Sequence, residues 1–185
     1  PCYLSGSADG SVKLWHFDQD HELWSFSHGS NAKVNSIRFE PYGNKLGVVN
    51  TLGELQLWRF LSGGATSRPY ITIQVHSKRT DDFQFLGSST VLASGGLSAD
   101  GNNVAIWDTL TQRASQHMTK PVRSFQVCNT DGVRALSYIN STETLICGGG
   151  KGELAVLDIR QGAVVKSWDA HDDAINKLLV DVEHD

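Results

Sequence analysis

The sequence predicts an all-β fold, part of a β-propeller, on three observations. A mostly apolar pattern (one residue, a second three on, a third two after that) recurs at Val34-Ile37-Phe39, Thr80-Phe83-Phe85, Val133-Leu136-Tyr138 and Ile175-Leu178-Val180. A bulky residue closes a short run at Trp15, Trp58, Trp107 and Leu157, at steps of 43, 49 and 50 residues. Glycine turns precede these runs at Asp9-Gly10, Leu52-Gly53, Gly101-Asn102 and Lys151-Gly152. Four short antiparallel strands every ~40–50 residues, with no helical periodicity, are the mark of propeller blades. A sandwich also has many short strands, but no tryptophan recurring at one place in each unit.

Each unit resolves into four strands in order. The first follows the apolar pattern and ends with the period-two alternation of a strand. The second spans residues 45–50, 90–95 and 144–148. A glycine turn follows, because a tight hairpin needs positive φ, which glycine reaches at little steric cost. The third strand spans 12–15, 55–58, 104–107 and 154–157, and the fourth 22–26, 70–75, 122–127 and 163–168. The expected arrangement over 1–185 is therefore the last two strands of one blade (1–26), full blades at 34–75, 80–127 and 133–168, and the first strand of another from 175 to 185. A whole ring needs roughly seven such units, about 300 residues. With Pro1 at its start and no capping signal at its end, the chain reads as a piece of something longer, open at both ends and prone to self-association.

The 185 residues are 39% hydrophobic and 19% charged, the composition of a folded globular protein. A net charge of −4 and a pI near 6.0 leave no electrostatic footprint for nucleic acid. No apolar run approaches the ~20 residues of a membrane helix, and nothing reads as a signal peptide. Cys2, Cys128 and Cys147 are an odd number without CxxC spacing, so they are expected as free thiols in a reducing compartment, with no zinc site and no cofactor.

Trp107-Asp108 is the dipeptide of the WD-repeat family, which the chain resembles. It decays to Leu157-Asp158, Trp15-His16 and Trp58-Arg59. The family braces each blade with a histidine before the first strand and an aspartate before the third. His76 and His171 stand at the histidine place, Ser30 and Asn129 replace it elsewhere, and Asp9 keeps the aspartate while Asp100 is shifted by one insertion. A narrower resemblance covers nearly the whole chain: YLSGSADGSVKLW, HSKRTDDFQFLGSSTVLASGG, NVAIWDTL and GGGKGELAVLDIRQ are similar to the C-terminal repeats of the DmX-like proteins, or rabconnectins. That resemblance implies a non-enzymatic scaffold that helps assemble the vacuolar proton-pumping ATPase. It further implies ATPase subunits and a rabconnectin partner subunit as partners. The implied location is cytoplasmic, peripheral on endosomal or synaptic vesicle membranes.

The remaining candidates each have a plainer reading beside them. Gly148-Gly149-Gly150-Lys151-Gly152 lacks the Ser or Thr and the upstream glycine of a phosphate loop, and reads as a hairpin. Asp18, Asp20 and Glu22 alternate like a calcium loop but lack its glycine and its closing glutamate. No pair of the seven histidines has metal-binding spacing, and nothing resembles a nucleophile elbow. Trp24 and Trp168, on fourth strands, are expected to pack between blades or to anchor a partner. Lys78 and Arg79 lie in a loop that suits a peptide reader. Asp158-Ile159-Arg160 resembles the Asp-x-Arg box of receptors for cullin-type ubiquitin ligases, and otherwise reads as a local salt bridge.

Overall fold

The computed structural model describes residues 1–27, 32–61, 64–66, 68–88, 90–110 and 120–181. They form sixteen strands in four antiparallel sheets. The first sheet holds β1 (Cys2–Gly6), β2 (Ser11–His16) and β3 (Glu22–Ser27). The second holds β4 (Val34–Phe39), β5 (Lys45–Asn50), β6 (Glu54–Leu61), the two-residue β7 (Gly64–Ala65) and β8 (Ile71–Gln74). The third runs β9 (Arg79–Phe85), β10 (Val91–Leu97), β11 (Val104–Asp108), β12 (Arg123–Phe125). The fourth runs β13 (Val133–Ile139), β14 (Thr144–Gly149), β15 (Glu153–Asp158), β16 (Ala163–Asp169).

Two boundaries differ from expectation. The first unit has three strands, not two: Cys2–Gly6 pairs along its whole length with β2, from Cys2 opposite His16 to Gly6 opposite Val12. At the other end, residues 175–181 form no strand, because no described strand offers them a ladder. Ile175 is nonetheless seated: its amide donates to the Gly149 carbonyl at 3.0 Å, as Val34 donates to Ser7 at 3.1 Å. Residues 182–185, and Ser30, lie outside the described residues.

The core sits between sheets rather than within them. Val12, Leu46, Val48 and Trp58 fill the first junction. Leu55, Leu57, Ile73, Phe83 and Trp107 are among those filling the second, and Ile106, Phe125, Leu136, Leu145 and Leu157 among those filling the third. One size match recurs at these junctions. A β-carbon added at Gly6 would lie 2.6 Å from Val34, at Gly95 2.8 Å from Val133, and at Gly148 2.6 Å from Ile175. The second sheet reverses the sizes, with buried Val49 at the glycine place and buried Thr80 opening the next inner strand. A bulky inner-strand residue thus needs a bare backbone on the neighbouring sheet.

Candidate functional site

Register puts the four bulky residues in one slot. Trp15, Trp58, Trp107 and Leu157 stand opposite Tyr3, Leu46, Leu92 and Leu145 on their second strands. Trp58, Trp107 and Leu157 are buried, whereas Trp15, in the first sheet, is half-buried. Two residues beyond each partner come Ser5, Val48, Ser94 and Cys147. That position decides whether the slot carries a polar brace.

The third sheet has the full brace. The Trp107 indole donates to Ser94 Oγ at 3.0 Å, Ser94 Oγ is 3.0 Å from His76 Nε2, and His76 Nδ1 is 3.0 Å from Ser98 Oγ. Ser98 therefore does the work expected of an aspartate, while Asp100 instead caps its own turn through the Asn102 amide. Burial outweighs the hydrogen bonds reaching His76 and depresses its pKa to about 4, so the ring is neutral. The first sheet keeps Trp15 donating to Ser5 at 2.8 Å. In the second, Val48 replaces the serine and the buried Trp58 Nε1 has no hydrogen-bond partner.

In the fourth sheet the brace is replaced throughout by apolar groups. Register shows that Cys128, not Asn129, takes the histidine place. Phe125 pairs with Val104 as Ile73 pairs with Leu55, and three residues on lie Cys128 and His76. The loop after Cys128 is one residue longer, which displaced the expected match to Asn129. Cys128 has φ 50° and lies against Gly149, as His76 lies against Gly96. Burial pushes its thiol up to about 12 and raises Cys147 as well, so both are inert packing groups.

His171 and Asp9 keep the backbone roles of their positions but have no brace to join. The His171 amide donates to Gly152 at 3.1 Å, as His76 donates to Gly53 at 3.2 Å, yet the His171 ring is exposed. Asp9 is exposed and accepts the Ser11 amide at 2.8 Å. Hydrogen bonding from the Ser11 side chain, then from its amide and from the Ser7 side chain, holds its carboxyl below the usual range.

Charged groups bridge the inner strands. Arg38 on β4 donates through Nε to the Phe83 carbonyl at 2.6 Å and through a terminal nitrogen to both Asp82 oxygens at 3.0 Å. Asp82 on β9 also accepts Ser36 Oγ at 2.8 Å and, from β13, the Leu136 amide at 3.0 Å. Arg79 lies not in a loop, as expected, but at the start of β9, and its guanidinium is paired. Its Nε reaches Asp81 at 2.7 Å and a terminal nitrogen reaches the Asp131 carbonyl and carboxylate at 2.6 and 3.1 Å. Arg134 holds Asp131 from its other side at 2.9 Å. Burial would lower the Arg79 pKa, but its two carboxylate partners outweigh that and raise it. Asp131 is lowered, first by its bond from Arg134. The bonds between strands were not legible from local sequence, since those partners lie 44 to 54 residues apart, unlike the local Arg79–Asp81 and Arg134–Asp131 pairs.

The rims carry what is left exposed. Lys78 is exposed beside the Arg79 cluster. Arg160 is exposed on the loop between β15 and β16, and makes no salt bridge to Asp158, whose carboxylate accepts the Gln161 amide at 2.7 Å instead. Trp24 packs edge-on to Trp58 at 5.5 Å between the first two sheets, whereas Trp168 is 38% exposed with Lys166 over its ring.

Residues 1–16 match the WD40 family (WD domain, G-beta repeat). The human DmX-like protein 1 is 36% identical and its mouse counterpart 33%, each over 98% of this chain. The chain is a WD-repeat region of the DmX-like kind. It spans about 6% of the length of those relatives. A crystal structure of the computationally designed Ika8 protein has the same fold, with a TM-score of 0.70 at 22% identity, over 96% of this chain and 49% of the other. The DmX-like region is an all-β partial propeller.

Proposed function

We propose that this region serves a DmX-like scaffold that helps assemble the vacuolar proton-pumping ATPase, binding its subunits and a rabconnectin partner subunit. It works from the cytoplasm, peripherally on endosomal or synaptic vesicle membranes. The likeness to DmX-like proteins across 98% of the chain supports this reading above all. The physical arrangement agrees with it. Arg38 is spent on Asp82, and Arg79, Asp81, Asp131 and Arg134 on one another, so the inner strands form a stiff frame that presents rim loops. Deleting the region from its parent should raise vesicle pH and loosen the cytosolic and membrane sectors of the pump. Normal acidification after deletion would reject the reading.

One observation favours a second reading. Arg160 is exposed and unpaired by Asp158, as a receptor arginine for a ligase adaptor needs to be. Under it, Arg160→Ala abolishes adaptor capture and leaves acidification intact; retained capture sinks it. A phosphopeptide reader built on Lys78 and Arg79 loses its support, because the Arg79 guanidinium already serves two carboxylates.

A further inference from the structure

We infer that a cleft between β4 and β9 docks an uncharged, apolar stretch of a partner protein, gripping it by one main-chain peptide group. β4 and β9 belong to the second and third sheets, each of which packs against a sheet on either side. Arg38 ties the two strands together through Asp82 and the Phe83 carbonyl, and beyond that bridge they part around a cleft of 400 Å³. That volume is at the low end of the roughly 300–1,000 Å³ of ligand sites. Ile37, Phe39, Pro41 and Phe85 form apolar walls, and Arg38 and Gln84 supply the polar groups.

Both polar groups have capacity to spare. Gln84 Oε1 is buried with no hydrogen-bond partner, a costly state that a ligand N–H relieves. Arg38 commits Nε to Phe83 and Nη2 to Asp82, which leaves Nη1 without a bond among the described residues. Asp82 already balances the guanidinium charge, so an acidic ligand gains little and loses its hydration among aromatic walls. One free acceptor and one free donor in a single cleft match the N–H and C=O of a peptide unit. The walls then take the adjoining aliphatic side chain. Phe39 is 38% exposed and Tyr42, next after Pro41, is 73% exposed, so aromatic surface continues from the cleft to the rim. Aromatic surface beside a pocket is what anchors partner proteins. The cleft suits such a segment whether its owner is a pump subunit or another protein.

The probe is acetyl-alanyl-leucyl-alaninamide, titrated into the 185-residue chain and followed by NMR at the backbone amides of Phe39 and Phe85. Both signals should move and saturate. The aspartyl counterpart of the peptide should bind about tenfold more weakly. An ester analogue, with oxygen in place of the leucyl N–H, should bind about fivefold more weakly, the worth of one net hydrogen bond. In Gln84→Leu the peptide and its ester should bind alike, an equality that a merely structural role for Gln84 does not produce. Phe39→Ala, at an exposed wall, should weaken the leucyl peptide about tenfold with the β circular dichroism unchanged. No saturable shift (the cleft then holding water alone), equal affinity for leucyl and aspartyl peptides, or an ester deficit that persists in Gln84→Leu would each overturn the inference. None of these outcomes reads vesicle pH, so the pump assignment stands or falls on its own test.

Discussion

The slot residues show how one position is solved in different ways. Trp107 ends in a buried serine and a buried histidine, whereas Trp58 buries an indole nitrogen with no partner. Trp107→Phe should therefore cost about 1–3 kcal/mol more than Trp58→Phe in urea unfolding, because it alone strands a hydroxyl that had a donor. His76 gives this brace a pH signature. Its folded pKa of about 4 lies below the ordinary 6.5, so between those values the unfolded chain binds a proton that the folded chain refuses. Stability is full above pH 6.5, falls by about 3 kcal/mol toward pH 4, and changes no further below that on this residue's account. His76→Gln should flatten the profile; an unchanged slope would assign it to other groups. The tryptophans and His76 were legible because they recur at fixed spacing. Cys128 was not, because one inserted loop residue moved the match to Asn129.

At the level of strands, pairing across a junction is a matter of size as much as polarity. Gly95 has room for Val133 only because it lacks a β-carbon. Gly95→Ala should destabilise by about 1–3 kcal/mol, since the stiff β-branched valine cannot yield. Val133→Ala in the same chain should recover part of that loss, a coupling a double-mutant cycle measures directly. Additive losses would mean the two do not meet. Strand positions followed from alternation and turns, and the third strands fell where the tryptophans put them. β1 escaped because a strand at the start of the chain has no preceding unit against which its spacing can be read. The segment 175–181 has an inner-strand sequence, but a strand exists only with a partner.

For the molecule as a whole, the four sheets cohere through greasy junctions and through a small number of charges. Asp82, with a side chain only 10% exposed, joins three sheets at once through Arg38, its own β9 and the Leu136 amide. Asp82→Ala should lower the unfolding free energy by about 3 kcal/mol, because it leaves a guanidinium and an amide without their acceptor. It should also broaden the transition, the second and fourth sheets no longer sharing an anchor. A sharp transition with unchanged midpoint would show that the apolar junctions suffice. Periodicity made the architecture readable, but the ion bridges depend on residues brought together from distant repeats, and no local pattern records them.

The buried thiols of the fourth sheet also make a built-in clock. Cys2 is open to solvent, while Cys128 and Cys147 are 2% and 0% exposed. A thiol reagent should modify Cys2 at once and the other two only when the third and fourth sheets part. Their labelling rate, measured on native thiols with no engineered cysteine, then gives the free energy of that opening. Gly95→Ala and Asp82→Ala should both quicken it, and Trp58→Phe, two junctions away, should leave it nearly alone.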